Sequence, residues 1–532
     1  MIGNAVTLGL GIAAVAVSSL RWLRVAQREH YLPGSTSRFA MRWWSLGRVN
    51  PLLAVVAVAG LGAGVAAPPI AIVAAAAAAG GPIGLGVRGR TSRLVWTSRL
   101  RTLAAADALV AAAVIGASAA AGLGPSALVA CLVAVAVPAV VDAALVVTAP
   151  LERRRLAPFL RQAGARLASV HPTVVAITGS YGKTSTKGYV THLLSGTRTV
   201  VPTPRSFNNR AGLATAVNQH LTPGTDVFVA EMGTYGPGEI AELCGMIPPD
   251  IAVITAIGPV HLERMGSEER IAEAKAEILV RAPVVVLNVD HPLLAALAGR
   301  AQAGGKKVWR ATAYPPASPH DPASPHDTAP PHDTASSPEI RVEATPDGLV
   351  AHLPGVSPVA LPGVHAAPTN VACAVAVALE LGTPAANVAA RLAGIPTAEH
   401  RQAVTGGANG QVIIDDTYNA NPAGAAAALG LLSGLGAGRE GAKRMVVTPG
   451  MVELGARQGE ENTAFARAAT HVATHLVVVG ATNSAALLAG AAGSAIEVIR
   501  ARNRAEAVAL VAATTGPGDV VLYENDLPDH FP

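Results

Sequence analysis

The sequence predicts an α/β fold preceded by an N-terminal multi-span α-helical membrane region. Three observations predict it. Five apolar runs fall before residue 150, at roughly 2–20, 51–67, 70–87, 103–122 and 126–149. From residue 173 onward, short β-branched runs alternate with helical stretches. Between one such run and one such stretch stands TGSYGKTST, at 178–186, placed as a nucleotide phosphate loop is.

The first part follows from length and charge. Each apolar run is about long enough to cross a hydrocarbon core, the second and third being short. Arg21, Arg24, Arg28, Arg38, Arg42 and Arg48 follow the first run. Arg88, Arg90, Arg93, Arg99 and Arg101 follow the third, and Arg153, Arg154, Arg155, Arg161 and Arg166 follow the fifth. The turns at 68–69 and 122–125 carry no charge. The expectation is a multi-pass protein of the cell (inner) membrane with five spans, its N-terminus outside and its catalytic domains cytoplasmic. The pair at 51–87 is also readable as one re-entrant hairpin. Asp107 and Asp142, inside apolar runs, are expected to pair with nearby arginines at the cytoplasmic helix ends.

Composition narrows the class. The chain has 532 residues, room for about three domains, with 51% hydrophobic and only 14% charged residues. Its net charge of +5 is carried by the arginines between apolar runs, so it argues for topology and against nucleic acid. Cys131, Cys244 and Cys373 form no C-x-x-C, which excludes a disulfide framework and a cysteine zinc site.

In the second part, strands are expected at 173–178, 226–231, 251–255, 284–287, 411–415, 445–448, 476–479 and 519–523, in a parallel α/β arrangement. PHD recurs at 319–321, 325–327 and 331–333, so 314–338 reads as a disordered insert. The domains expected are 1–150, the transmembrane region; 151–398, a central ATP-binding domain; and 399–532, a C-terminal Rossmann-like α/β domain.

The phosphate loop carries the chemistry. Gly179 and Gly182 let the backbone turn and present N–H groups to an anion, with Ser180 and Ser185 in the same loop. Lys183 reaches terminal phosphates and the Thr184 hydroxyl suits Mg²⁺. Further elements sit at strand ends, where open α/β sheets bind ligands. Glu231 closes DVFVAE, a place for a metal-holding carboxylate or a helix cap. His261 lies in GPVHLERMGS. Lys275 lies in EERIAEAKAEIL and reads equally as a solvated helix lysine. DDTYNANP follows QVII at 415–422.

The order TGSYGKTS, SFNNRAG, EMGTYGPGEI, GPVHLERMGS, AKAEI, LPGVH…TN, IIDDTYNANP and TPGMVELG resembles the Mur ligase family, most narrowly its D-alanyl-D-alanine-adding branch. The resemblance covers roughly 173–525. It implies an ATP-dependent carboxylate–amine ligase working through an acyl phosphate, with two Mg²⁺ ions. The substrates it implies are a peptidoglycan-precursor peptide and an amino acid or dipeptide, with membrane lipid as a further partner. By resemblance, Lys183 holds the β/γ-phosphates, Thr184 and Glu231 the first metal, and His261 the second. Lys275 matches a lysine carbamylated by CO₂, which turns a repelling ammonium into an anionic metal ligand. Asn370 matches an adenine contact; Arg401 and Asp416 match groups that close on the nucleotide. Asn208, Asn209, Asn419 and Asn421 match segments near the substrates.

The sequence departs from the family pattern in places. Ala256 stands where Asn is usual, and no His follows TPGMVELG. GDVVLYENDLPDHFP replaces a K-G-S-R-like ending, and Asp526 and Asp529 bring acid there. About twenty residues separate the last apolar run from the loop strand, too few for the family's own UDP-binding domain. Two other readings are a membrane-anchored ligase of another polymer, such as a poly-γ-glutamate synthase, and a membrane scaffold with a degenerate nucleotide fold. DDTYNANP weighs against the first. Intact Lys183, Glu231, His261 and Lys275 weigh against the second.

Overall fold

The computed structural model describes residues 1–87, 94–204, 207–260, 262–314, 338–345, 347–396, 400–418, 420–527 and 531. His261, Asn419 and nearly all of the PHD insert lie outside the described residues. The chain divides into two compact units, Met1–Ala157 with Leu527–Pro532, and Pro158–Asp526.

The first unit is helical. Among the described residues, four helices are long and apolar enough to cross a membrane: Ile2–Arg28, Val49–Ala66, Ser98–Ala121 and Leu123–Val170. The third expected span shortens to the nine-residue helix Ile72–Gly80. Pro82 lacks an N–H and follows a glycine pair, so the helix stops there. This short helix packs against Val49–Ala66 through small residues. A Cβ on Gly60 would come within 3.0 Å of Ala74 N, so the two backbones approach closely where glycine stands.

The two acids also differ from expectation. Asp142 accepts from the backbone of Thr36 (3.2 Å) and Ser37 (2.8 Å), capping the helix Ser35–Trp44 instead of pairing with an arginine. Asp107 has Ser19 as its neighbour and is buried. Arg21 donates to the carbonyls of Ala78 (3.3 Å) and Ala79 (3.1 Å).

The expected boundary at 150 falls inside a continuous helix of 48 residues, Leu123–Val170. Beyond it, nine strands form one sheet: β1 (Thr173–Thr178), β2 (Val200–Pro202), β3 (Val227–Glu231), β4 (Ile251–Ile254), β5 (Val284–Asn288), β6 (Lys307–Thr312), β7 (Glu339–Thr345), β8 (Gly348–His352) and β9 (Val359–Pro362). Their order is β2-β3-β1-β4-β5-β6-β7-β8-β9. Strands β2 to β7 pair in parallel, and β8 and β9 add antiparallel. Strand β1 is apolar from Val174 to Ile177 because helices cover both faces. Val174 and Ala176 pack toward the helices Arg210–His220, Glu239–Met246 and Pro292–Ala303. Val175 and Ile177 pack toward Lys183–Leu194 and Pro368–Glu380.

A second sheet has the order β10-β11-β15-β12-β13-β14, from β10 (Ala403–Gly406), β11 (Val412–Asp416), β12 (Arg444–Thr448), β13 (His475–Val479), β14 (Glu497–Ala501) and β15 (Val520–Glu524). It is parallel except for β10. Ile414, Val446, Leu476 and Leu522 face the helices Pro422–Gly436 and Gln458–Val472. Met445, Val447 and Val521 face Arg504–Thr514. All eight expected strands occur within a residue of their places.

Candidate active site

The site grows from the C-terminal end of β1. Gly179 and Gly182 hold φ of +155° and +85°, which side chains beyond glycine resist. A Cβ on Gly182 would lie 2.3 Å from Asn370 Oδ1, so the turn closes directly onto that amide. The next loop braces it. Ser180 N donates to Ala256 O (2.8 Å), Gly258 N donates to Ser180 Oγ (3.1 Å), and Thr255 Oγ1 donates to Tyr181 O (2.5 Å). Ala256 therefore serves through its backbone, where no side chain is needed. The helix Lys183–Leu194 starts at the turn and aims its N-terminus out of the loop.

Strand β3 runs beside β1, with Ile177 level with Glu231. That register brings Glu231 to the loop. Its Oε2 accepts from Thr184 Oγ1 (3.0 Å) and from the Lys187 ammonium (3.0 Å). Asn208 Nδ2 donates to Oε1 at 3.4 Å. Glu231 and Lys187 are both buried. Lys187 went unnoticed in the sequence. It lies one helical turn past Lys183, and that spacing was the available signal.

Two lysines converge here. Lys183 Nζ donates to Gly179 O at 2.7 Å. Burial pushes it down to about 8, with Glu231 opposing the shift and Arg401 adding to it. Lys275, on Glu268–Ala276, is 4% exposed. Burial holds it well below the usual ammonium range, and the charge of Lys183 adds to the effect.

Residues 400–418 reach the same region. The Arg401 guanidinium lies 4.5 Å from the Tyr418 ring centroid, and its charge acts on Lys183, Tyr189 and Asp416. Burial pushes Asp416 up to about 6 against the pull of Arg401 and Gln402. Ser185 sits within the helix and bonds Tyr189.

Two asparagines expected near substrates have structural work. Asn209 Oδ1 accepts from Gly212 N (2.9 Å) and caps Arg210–His220; Asn421 Oδ1 accepts from Gly424 N (3.0 Å) and caps Pro422–Gly436. Asn followed by Pro at the first helical position was a readable cap signal. The sequence reading also missed Asn462 and Asn483, which hold the loop at 449–455: Met451 N donates to Asn462 Oδ1 (2.8 Å), and Asn483 Nδ2 donates to Pro449 O (3.0 Å).

A phosphate loop with a metal-suited hydroxyl–carboxylate pair, facing a second parallel sheet, defines a nucleotide-dependent ligase of two α/β domains. The Mur ligase middle domain family matches residues 177–378, and the Mur ligase glutamate ligase domain family matches 400–523. The UDP-N-acetylmuramoyl-tripeptide–D-alanyl-D-alanine ligase of Mycobacterium leprae is 34% identical over 395 residues, covering 69% of this chain and 74% of that protein. The enzyme of the same description from Escherichia coli is 30% identical over 304 residues, covering 57% and 61%. MurF from Acinetobacter baumannii shares the fold with a TM-score of 0.55 at 24% identity, over 69% of this chain and 76% of that one. MurF ligase from Thermotoga maritima, solved with ADP, gives 0.54 at 24% identity, over 70% and 80%. The chain belongs to the Mur ligase family, as an ATP-dependent peptide ligase of the MurF type.

Proposed function

We propose that this ligase joins D-alanyl-D-alanine to the tripeptide of a peptidoglycan precursor, the reaction that its relatives' descriptions name. The observation that carries the reading is the convergence of Lys183, Thr184, Glu231 and Lys275 at the ends of β1 and β3 and on the helices Lys183–Leu194 and Glu268–Ala276.

In this reading the acceptor carboxylate attacks the γ-phosphate of ATP, giving an acyl phosphate and ADP. The amine then attacks the acyl carbon, and phosphate leaves as the amide forms. Positioning and charge stabilisation dominate such a reaction. The loop at 178–186 and Lys183 hold the phosphates, and Asn370, Arg401 and Asp416 complete the nucleotide site. Thr184 and Glu231 would hold the first Mg²⁺ and His261 the second. The fit is supported by the two oxygens of Thr184 and Glu231 at 3.0 Å, hard donors of the kind Mg²⁺ prefers. Bound Mg²⁺ neutralises charge on the transferring phosphoryl group. Lys187 shares the Glu231 oxygen, so this chain holds that carboxylate aimed before any ion enters. Lys275 would act as its carbamate, which its burial favours. Asn208 holds Glu231, and Asn209 and Asn421 cap helices beside the substrate-side loops; Asn419 would contribute to the substrate side.

The parts follow as a membrane region at 1–150, a central domain at 151–398 and a C-terminal domain at 399–532. The membrane region would place the N-terminus outside the cell (inner) membrane and the ligase domains in the cytoplasm. Four long apolar helices favour a second reading of the acceptor, in which the tripeptide is attached to a membrane lipid. A tethered domain meets lipid-linked substrates at high effective concentration. The test is to reconstitute the full chain in vesicles with labelled ATP and D-alanyl-D-alanine. UDP-linked and lipid-linked tripeptides are supplied separately, and ADP and amide are measured. Release of ADP with neither acceptor would remove the proposal, and amide from the UDP-linked form alone would remove its lipid-linked version.

A further inference from the structure

Glu524 ends β15, and none of the chemistry above uses it. It is fully buried. Its Oε2 accepts from Thr448 Oγ1 at 2.7 Å, while Oε1 has no hydrogen-bond partner among the described residues. A buried polar atom left unpaired is uncommon in a folded protein and calls for a reason. The surroundings are built. Gly450 N donates to Thr448 Oγ1 (2.9 Å) and Asn525 Nδ2 donates to Gly450 O (2.7 Å), so the turn after β12 is tied to the end of β15.

Its place in the fold points to a ligand. Strand β15 lies between β11 and β12, and the carboxyl sits at their C-terminal ends, where open α/β sheets bind small molecules. Parallel register sets Glu524 level with Asp416. Registered neighbours in a parallel sheet project to the same face, so two carboxyls stand one strand apart. Asp416 feels Arg401, and Arg401 also acts on Lys183. The acid pair is thus one guanidinium removed from the phosphate loop.

We propose that Glu524 receives the ammonium group of the amine substrate, its Oε1 accepting an N–H that no protein group supplies. This inference rests on the reading of the chain as an amide-forming ligase. An anionic group would meet two carboxyls here, whereas the amine of such a reaction arrives as a cation. Burial above all, with Asp416 adding to it and the Thr448 hydrogen bond opposing, pushes Glu524 up to about 8. The carboxyl is therefore mostly neutral on its own and ionises when a cation enters, which avoids a standing buried charge.

The test uses the full chain, ATP and whichever acceptor drives ADP release. The bound acyl phosphate is offered hydroxylamine, largely neutral near neutral pH, or methylamine, almost wholly cationic there. Glu524→Gln should lower the ratio of methylamide to hydroxamate by roughly 10- to 100-fold, the loss expected for one hydrogen bond to a charged group. Glu524→Asp should regain part of it. The KM for D-alanyl-D-alanine should rise in parallel while hydroxamate formation stays near wild type. An unchanged ratio, or an equal fall of both products, would overturn the assignment. A wild-type enzyme that ignores the dipeptide yet shows a ratio dependent on Glu524 would remove the dipeptide and keep the ammonium site.

Discussion

Replacing Lys187 with Met tests how much the ion pair at the end of β3 contributes to stability. Lys187 and Glu231 are both buried, and their charged atoms lie 3.0 Å apart. Removing one partner of such a pair typically costs about 3–5 kcal/mol, because the remaining charge stays buried. Two hydrogen bonds survive the substitution, from Thr184 at 3.0 Å and from Asn208 at 3.4 Å. They hold back part of the loss, so about 3 kcal/mol is expected. Methionine keeps the unbranched stem and removes only the ammonium. The assay is pulse proteolysis of the full chain in urea, read on fragments of the ligase unit. Glu231→Gln alone and the double variant complete the cycle. Once Glu231 is neutral, Lys187→Met should cost far less, giving a coupling of about 2 kcal/mol or more. Losses that add to within about 0.5 kcal/mol would refute the idea that Lys187 compensates Glu231.

Three further outcomes are expected. Lys183→Ala should lower turnover by roughly 10²- to 10³-fold, as loss of a preorganised charge does; ADP release at half the wild-type rate or better would remove the loop from catalysis. Lys275→Ala should be inactive and partly restored by a short-chain carboxylate at high concentration; an unmodified lysine in intact-mass measurements of the active, ATP-bound protein would overturn the carbamate. Glu524 binds its proton more tightly folded than unfolded, between the ordinary 4.5 and about 8. The folded state therefore holds more protons in that window, and stability falls as pH rises through it. At about 1.4 kcal/mol for each tenfold, the upper bound is about 5 kcal/mol. Glu524→Gln should gain stability relative to wild type as pH rises from 5 to 8, measured by urea midpoints, and a constant difference would contradict the assignment.

How far the fold and site could be read from sequence depends on whether a signal was local. The strands found in advance, β1, β3, β4, β5, β11, β12, β13 and β15, are apolar β-branched runs, all but β11 buried along most of their length. Most of those missed are short or half-exposed; β6 is largely buried, but its run KVWRAT is interrupted by Arg310. Strand β2 has three residues and no fully buried one, and β14 carries Glu497 and Arg500 on an edge. The phosphate loop was legible because its glycines and lysine are contiguous. Lys187 was not, since only the parallel pairing of β1 and β3 brings Glu231 to it. The chain's ending shows the same limit. Acid was noted there, but that Glu524 is buried at the end of β15 while Asp526, past the strand, pairs with Arg504 is set by the strand's neighbours. The third apolar run misled through composition. Its length in apolar residues exceeded the helix that Gly80, Gly81 and Pro82 permit.

Arg401 is where the two sheets of the ligase unit come to share one electrostatic problem. It lies between two non-glycine residues in left-handed backbone, His400 at φ +58° and Gln402 at φ +52°. Each such residue costs about 1–2 kcal/mol, so surrounding contacts must hold them. His400 Nδ1 meets Asp415 Oδ2 at 2.7 Å, and Tyr418 N donates to His400 O at 3.2 Å. Thr417 Oγ1 donates to Asp415 Oδ1 at 2.6 Å. Those bonds all run to the end of β11, so the strain fixes Arg401 to the second sheet. Its charge, however, reaches Lys183 on the first. Movement of one sheet relative to the other changes both fields at once: the one that lowers Lys183 and the one that offsets the burial of Asp416. Lys183 at the phosphate loop and Asp416 at the acid pair thus feel the same guanidinium.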